Sequence, residues 1–491
     1  MLLNILRRDT TGGDVVKLIV SKVLVLCVSM ATTMLLVRFR TLEEYGTYSQ
    51  LLLVINLITT IFIMGLPNSI NYFLARAETE EEKRKFLSIY YTLSTLLSLL
   101  VGLLLVLLIP LLEAYFHNPS IRTFYYFLAL YPWAHIVTSS IEHILVVYKK
   151  TNFLMGYRLA FSFSMFAVIF LLQWLGYGFH AYMVVFVIVN ALFALAVYFI
   201  SGRLAGGLGF SCDIFFVKKI FAFSIPIGLA TVTGTLSAEI DKLLIGYMMN
   251  TEQLAIYTNA ARELPLAIIS SSVTAVLLPQ MAVLLKKQKT TEALSKWHSS
   301  TELALIIISF FVASVFTYAP EAMTILYSAK YLPGVSVFRI YTLNLLLRCT
   351  YFGMILNSTG ETRKILISSI LSLLINAILN PVFFYIMGII GPAVATLVAI
   401  LLTMQFQLLL TSKVIKIAFG RIFPWNNTCK IILINSLFAI VFYFLKIVLP
   451  LETILGDIGE SILLGIVWAI IYFAALKKRI KLKWKDLNVS Y

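Results

Sequence analysis

The chain has 491 residues, of which 60% are hydrophobic and only 13% are charged, and its mean hydropathy is +0.93. Soluble domains carry about 45–50% apolar and about 25% charged residues, so this composition excludes an ordinary water-soluble enzyme. The formal net charge of +16 does not indicate nucleic acid. The basic residues form short clusters between apolar runs and not one continuous stripe.

The sequence has neither a disulfide framework nor a nucleotide-binding loop. The four cysteines are far apart, with no C-x-x-C pair and no disulfide framework, and we expect them to be small core residues: Cys27, Cys212, Cys349 and Cys429. No P-loop is present, so the chain is not expected to hydrolyse ATP. We expect no cofactor and no metal site.

Apolar runs follow one another along the whole chain. Because a helix needs about 20 apolar residues to cross about 30 Å of hydrocarbon, we predict an all-α integral membrane protein with fourteen transmembrane helices: 15–37, 48–73, 87–112, 121–148, 155–175, 180–201, 217–249, 253–285, 299–319, 335–357, 365–387, 391–412, 429–449 and 459–476. The first run lacks a cleavage site and is too long for a signal peptide. Short breaks leave no domain for catalysis, so the chain is predicted not to be an enzyme.

The basic residues define an orientation for these helices. Of the 39 Lys and Arg residues, 29 fall in alternate breaks, six fall in the opposite breaks, and four lie within spans. Cytoplasmic loops carry the excess of Lys and Arg in membrane proteins. We therefore predict a multi-pass membrane protein with both termini in the cytoplasm.

The two halves of the chain repeat several features at offsets of 208 to 214 residues. The matched positions are Glu44 and Tyr48 with Glu252 and Tyr257, Pro67 with Pro279, Pro119 with Pro333, and Gly176 with Gly388. This predicts two six-helix bundles, at 1–206 and 213–412, followed by two additional helices and a basic cytoplasmic tail at 413–491. Six helices per copy imply a parallel repeat about an axis along the membrane normal, with a cleft that opens to either side.

Charged residues at bilayer depth are expensive and mark functional sites. Asp241 and Lys242 precede the turn near Asn250, and Arg262 and Glu263 follow it at a similar depth. We therefore expect Asp241 to pair with Arg262, or Lys242 with Glu263, across this hairpin. Such pairs either line a polar cleft or only fix the packing of the two helices.

The remaining candidates complete a predicted cationic cleft. Lys22 stands alone in the first span, Arg38 ends that span, and Arg348 lies in the tenth. The position of Arg38 is explained equally well by contact with lipid headgroups and by contact with substrate. The predicted substrate-binding set is Lys22, Arg38, Lys242, Arg262 and Arg348, and the predicted pairing or coupling set is Glu239, Asp241 and Glu263.

Several segments carry a family likeness in their order along the chain. They are Glu43-Glu44-Tyr45-Gly46-x-Tyr48-Ser49, Ile240 to Gly246, Ile256 to Ala260, Leu278-Pro279, Gly360 to Arg363, Asn376 with Asn380-Pro381, and Gly388-x-x-Gly391. This set resembles the O-antigen-type (Wzx-like) polysaccharide flippases of the multidrug/oligosaccharidyl-lipid/polysaccharide (MOP) exporter superfamily. The likeness extends over nearly the whole sequence.

The resemblance implies that the chain translocates undecaprenyl-pyrophosphate-linked oligosaccharide units for surface polysaccharide synthesis, by alternating access. The implied partners are the polyprenyl-pyrophosphate-linked glycan, membrane lipids and polysaccharide polymerase machinery, and nucleic acid is not among them. The identity of the glycan, the oligomeric state and any coupling to H⁺ or Na⁺ through Asp241 or Glu239 stay open.

Other functions compete with this interpretation. A cation-coupled multidrug antiporter of the same superfamily usually has twelve spans and needs acidic groups to dominate its cleft. A peptidoglycan-precursor flippase shares the fourteen spans. An integral-membrane polymerase or ligase normally needs a large outer loop, which is not predicted here, and a structural scaffold would not need buried charge.

Overall fold

A computed structural model describes residues 11–211, 213–449 and 451–488, with side chains from residue 23 onward except at 485, 487 and 488. Every regular element in these ranges is a helix, and the described residues contain no strand. The chain is therefore all-helical, as predicted. Large apolar side chains are exposed on many helices, among them Trp174, Phe199 and Ile454, which is typical of surfaces that face lipid.

Twenty-one α-helices follow one another in the described residues. They are α1 Thr11–Phe39, α2 Leu42–Ile63, α3 Leu66–Ser69, α4 Glu80–Leu107, α5 Ile109–Phe116, α6 Tyr125–Ser139, α7 Ile141–Val147, α8 Thr151–Trp174, α9 Phe179–Leu204, α10 Ile214–Met248, α11 Thr251–Ala260, α12 Ala267–Lys286, α13 Thr290–Thr317, α14 Ala319–Leu326, α15 Val335–Asn344, α16 Met354–Ser358, α17 Thr362–Met387, α18 Gly391–Ile415, α19 Phe419–Ile422, α20 Trp425–Val448 and α21 Glu452–Asn488. A π-helical turn covers Ile70–Leu74, and 3₁₀ turns cover Pro119–Phe124, Ala329–Gly334, Leu345–Arg348 and Gly388–Ile390.

Ten helical segments of the described chain are long and apolar enough to cross a membrane, and one of them, Thr362–Ile415, contains both α17 and α18. The predicted number of fourteen is not confirmed by this count and stays a prediction. Two predicted spans missing from it, 121–148 and 335–357, are divided into shorter helices. The first span contributes only a shorter apolar segment, Val23–Phe39.

The chain forms two compact units, which divide between Ala255 and Ile256 within α11. In the first unit α1 packs on α8, α6 packs on α4 and α9, and α10 packs on α2 and α3. In the second unit α17 and α18 form a hairpin, and α13 packs against α12, α20 and α21. The two bundles predicted at 1–206 and 213–412 were defined by a repeat in the sequence. The division into units does not test that repeat, so the two bundles stay a prediction.

Aromatic clusters form the cores of both units. The first unit buries Phe86 and Tyr90 between α4 and its neighbours, and the second buries Trp297 on α13 and Trp468 on α21. Cys349 is buried, as expected, whereas the prediction was wrong for Cys27 and Cys429, which are exposed. Exposure on an apolar helix surface is compatible with cysteine, because its side chain behaves as a small hydrophobic group.

The Glu43–Ser49 motif begins α2 and places it against the start of α11. Thr41 and Glu44 form a capping box, with Glu44 N donating to Thr41 Oγ1 at 3.1 Å. A Cβ at Gly46 would lie 2.2 Å from the carbonyl oxygen of Thr251, so only glycine permits this approach. Gln50 Nε2 donates to Thr251 Oγ1 at 3.3 Å in the same contact.

A second close approach joins α10 to the end of α2. Met64 and Gly65 both have positive φ, at 42° and 72°, which turns the chain sharply after α2. A Cβ on Gly228 of α10 would lie 2.2 Å from the carbonyl carbon of Met64. The two backbones therefore touch with no side chain between them, and this contact sets the position of α10 within the first unit.

Replacing Gly228 with alanine is expected to destabilise the first unit, because the added methyl group would overlap the Met64 backbone. Gly234→Ala on the same helix is the matched control, since nothing lies within 4 Å of its Cβ position. We expect the thermal midpoint of the purified protein to fall for Gly228→Ala. It should stay constant or rise for Gly234→Ala, because alanine favours helix by about 1 kcal/mol. Equal midpoints for the two variants would contradict the assigned contact.

Candidate functional site

Two predicted spans are interrupted at their charged residues. Helix α11 ends at Ala260 and α12 begins at Ala267, so that Arg262 and Glu263 lie on irregular backbone. The 3₁₀ turn Leu345–Arg348 likewise ends in an irregular stretch before α16. The prediction of continuous helices at 253–285 and 335–357 was therefore wrong. Pro265 explains the first break, because a proline disfavours helical backbone at the preceding residue.

An ion pair connects these two interruptions within the second unit. Arg348 Nη2 lies 2.6 Å from Glu263 Oε1, and the side chains are 47% and 28% exposed. A hydrogen bond between two ionised groups is among the strongest that side chains form. Neither group is sealed in the core, so Arg348 can also contact a ligand.

Irregular backbone has a specific meaning in a membrane protein. Lipid cannot satisfy the exposed N–H and C=O groups, so non-helical segments occur only where they are buried in protein or line a water-filled cavity. In secondary transporters, discontinuous helices form the substrate and ion sites. Residues 261–266 and 345–353, with the Glu263–Arg348 pair between them, are therefore the candidate site of the second unit.

The first unit carries a separate group of charged residues on α10. Lys242 Nζ lies 2.6 Å from Oε2 of Glu239, a residue about one turn earlier on the same helix. Asn56 Nδ2 of α2 lies 3.5 Å from Glu239 Oε1, at the long limit of a hydrogen bond. Asp241 is only 1% exposed and is turned into the unit. Three ionisable groups thus lie within one helical turn of α10.

The other predicted residues have less definite positions. The side chain of Lys22 lies outside the described residues. Arg38 is exposed at the end of α1, whereas its neighbour Arg40 is buried and donates through Nη2 to the carbonyl of Tyr177 at 3.1 Å. Arg262 is exposed. Arg40 also follows the first predicted span, but it was not included in the predicted substrate-binding set.

The predicted pairs across the hairpin, Asp241 with Arg262 and Lys242 with Glu263, would join residues of different units and stay predictions. Within the units, Lys242 contacts Glu239, and Glu263 contacts Arg348. The α10 group has two carboxylates and one ammonium, a formal charge of −1. The group formed by Arg262, Glu263 and Arg348 has two guanidinium groups and one carboxylate, a formal charge of +1.

Glu302 is a further buried charged residue that was not found from the sequence. Glu302 of α13 is 1% exposed and forms an ion pair with Arg479. Lys483 Nζ lies 3.6 Å from the same carboxylate, and Asn427 Nδ2 donates to it at 2.9 Å. These contacts attach the basic end of α21 to α13 and α20. Glu302 could have been found from the sequence, because it is an acidic residue within the apolar run 299–319.

The asparagines of α17 form hydrogen bonds within and between helices. Asn380 Nδ2 donates to Asn376 Oδ1 at 2.8 Å, and Thr396 Oγ1 of α18 donates to the same oxygen at 3.4 Å. Hydrogen bonds between side chains of this kind hold helices together in lipid.

The long apolar helices define a multi-pass membrane protein, and comparison with known proteins identifies its family. The family model described as "Polysaccharide biosynthesis protein" matches residues 35–336, more than half of the chain. The chain belongs to this family, as the resemblance in its motifs predicted. No curated protein matches the sequence.

Solved structures show the same fold. Lipid II flippase MurJ in an inward closed conformation matches with a TM-score of 0.70 and 17% identity, covering 93% of this chain and 98% of its own. An inward-facing multidrug resistance MATE family transporter of the MOP superfamily matches with a TM-score of 0.64 and 16% identity, covering 79% and 94%. A MOP superfamily transporter from Pyrococcus furiosus matches with a TM-score of 0.55 and 14% identity, covering 84% and 98%. The chain therefore has the fold of these flippases and transporters.

The Glu263–Arg348 pair is expected to stabilise the second unit. Arg348→Gln leaves the carboxylate of Glu263 without this partner, so the single variant should unfold at a lower temperature than the double variant Glu263→Gln/Arg348→Gln. We expect a coupling on the order of 1 kcal/mol in the double-mutant cycle, measured by thermal unfolding in detergent. Additive effects of the two substitutions would show that the pair contributes nothing.

Proposed function

We propose that this protein flips undecaprenyl-pyrophosphate-linked oligosaccharide units across the cytoplasmic membrane for O-antigen-type surface polysaccharide, by alternating access. The observation that supports this proposal best is the Glu263–Arg348 pair at two helix interruptions. Membership of the polysaccharide biosynthesis family supports a glycan as cargo. The positive-inside pattern supports cytoplasmic positions for both termini.

The cargo explains why arginine is needed at this position. A lipid-linked glycan has an apolar tail that stays in lipid, and only its pyrophosphate and sugars need shielding. A guanidinium group binds phosphate oxygens in a bidentate manner. Glu263 would hold Arg348 in place before binding, and the phosphate would then take the place of the carboxylate. Arg262 would supply a second guanidinium group, and Lys22, Arg38 and Lys242 are further proposed contacts.

The charged group on α10 suits a different role. It contains two carboxylates, the groups that bind cations, and Asp241 is the less exposed of the two. We propose that coupling to H⁺ or Na⁺, where it occurs, uses Asp241 and Glu239. The membrane potential would add to this coupling, because each negative charge moved outward gains about 2.3 kcal/mol per 100 mV.

Two alternative cargoes follow from the structural matches. The match to a lipid II flippase extends over 93% of the chain and favours a peptidoglycan precursor. The matches to MATE transporters favour an organic cation. Both lipid-linked cargoes carry a pyrophosphate, which the +1 group would bind, whereas an organic cation would be repelled by that group.

The function is tested in liposomes that contain the purified protein. We expect a fluorescent polyprenyl-pyrophosphate sugar to move between leaflets faster than in protein-free vesicles. A fluorescent lipid II and a cationic drug serve as the two competing cargoes. Movement of the drug alone would contradict the flippase assignment, and movement of lipid II alone would assign the peptidoglycan precursor.

The role of Arg262 is tested in cells. Arg262→Ala is expected to abolish export of surface polysaccharide without lowering the amount of protein in the membrane. Arg339→Gln is the control, because Arg339 also lies in the second unit but contacts the carbonyl of Phe316. Normal surface polysaccharide in cells with Arg262→Ala would remove this residue from the proposed site.

A further inference from the structure

Three carboxylates converge where α21 begins. Glu452, Asp457 and Glu460 each place one oxygen within 4.8 Å of the others. Gly456 makes this possible, because its backbone leaves the helical conformation at φ 69° and ψ 163°. In a regular helix, residues 452 and 457 would lie on different faces.

One carboxylate oxygen of Glu460 is buried without a hydrogen-bond partner. Glu460 is 1% exposed, and among the described residues its buried Oε1 has no hydrogen-bond partner. An ionised carboxylate removed from water is strongly unfavourable unless opposite charge compensates it. The neighbouring carboxylates of Glu452 and Asp457 increase this free-energy cost by repulsion.

The nearby ammonium group is already engaged. Lys446 of α20 forms an ion pair with Glu321 of α14, and its Nζ lies 3.7 Å from Asp457 Oδ1. Lys446 is therefore shared between the carboxylates of Glu321 and Asp457. These two residues, Glu452, Glu460 and Lys446 together have a formal charge of −3.

We propose that Glu452, Asp457 and Glu460 bind a calcium ion. The ligands are all carboxylate oxygens, which Ca²⁺ and Mg²⁺ prefer to softer ligands. Two oxygens bound to one Ca²⁺ lie at most about 5 Å apart, and one oxygen from each of these three carboxylates lies within 4.8 Å of the others. Mg²⁺ dehydrates reluctantly and is usually held by only one or two carboxylates, so three converging carboxylates favour Ca²⁺.

The ion would join the last two helices of the second unit. The ion would be bound by residues at the start of α21. One of these, Asp457, also contacts Lys446 of α20, and Lys446 pairs with Glu321 of α14. The turn between α20 and α21 lies on the predicted outer face, where calcium sites commonly have dissociation constants of about 10⁻⁴–10⁻³ M. This site is separate from the α10 group and does not rest on the proposed function. It also departs from the expectation of no metal site.

Binding of ⁴⁵Ca²⁺ to the purified full-length protein in detergent tests the proposal. We expect one saturable site with a dissociation constant of about 10⁻⁴–10⁻³ M, and a thermal midpoint that rises with calcium. Mg²⁺ at the same concentration should not displace the ion. Glu460→Gln should weaken binding at least about tenfold, the effect of losing one ligand interaction of about 1.4 kcal/mol.

A second variant distinguishes the loss of a calcium ligand from misfolding of Glu460→Gln. The side chain of Asp457 is 61% exposed, so Asp457→Asn is expected to fold and also to bind calcium at least about tenfold more weakly. Glu361→Gln is the control, because Glu361 pairs with Lys364 on the surface of the same unit, and it should bind as the unchanged protein does. Absence of saturable binding, or equal binding by all variants, would overturn the proposal.

Discussion

A bilayer offers no hydrogen bonds to the backbone, and this constraint gives the interrupted helices their importance. A continuous helix satisfies its own N–H and C=O groups, so a break at membrane depth must be compensated by protein or water. The chain breaks between Ala260 and Ala267 and again after Arg348. It places Glu263 and Arg348 in contact there. Charge and irregular backbone therefore occur together, which is the combination that a site for a polar cargo needs.

The fold class could be predicted from composition, because 60% hydrophobic residues in repeated runs leave few alternatives. The positions of Lys242, Glu263 and Arg348 could also be predicted, since a charged residue within an apolar run is visible directly. The breaks could not be predicted in the same way. Arg262 and Glu263 are visible as charges within an apolar run, but only Pro265 indicated a change of backbone there.

Pairing was harder to predict than position, because it depends on geometry that spacing alone does not determine. Lys242 has a carboxylate one turn away at Glu239, and the structure uses this local partner. Glu302 was missed for a related reason, since Arg479 and Lys483 were interpreted only as markers of the cytoplasmic side. The cluster at Glu460 depends on the kink at Gly456, which no periodic pattern reveals.

The contact between Glu302 and the basic end of α21 has a practical consequence. Arg479 and Lys483 belong to a stretch that looks dispensable, a run of lysines after the last apolar segment. Each of them compensates a carboxylate buried in α13. Shortened versions of the chain that end before Arg479 would lose a counter-ion of the interior, so poor expression of such versions would report a packing defect and not a role in transport.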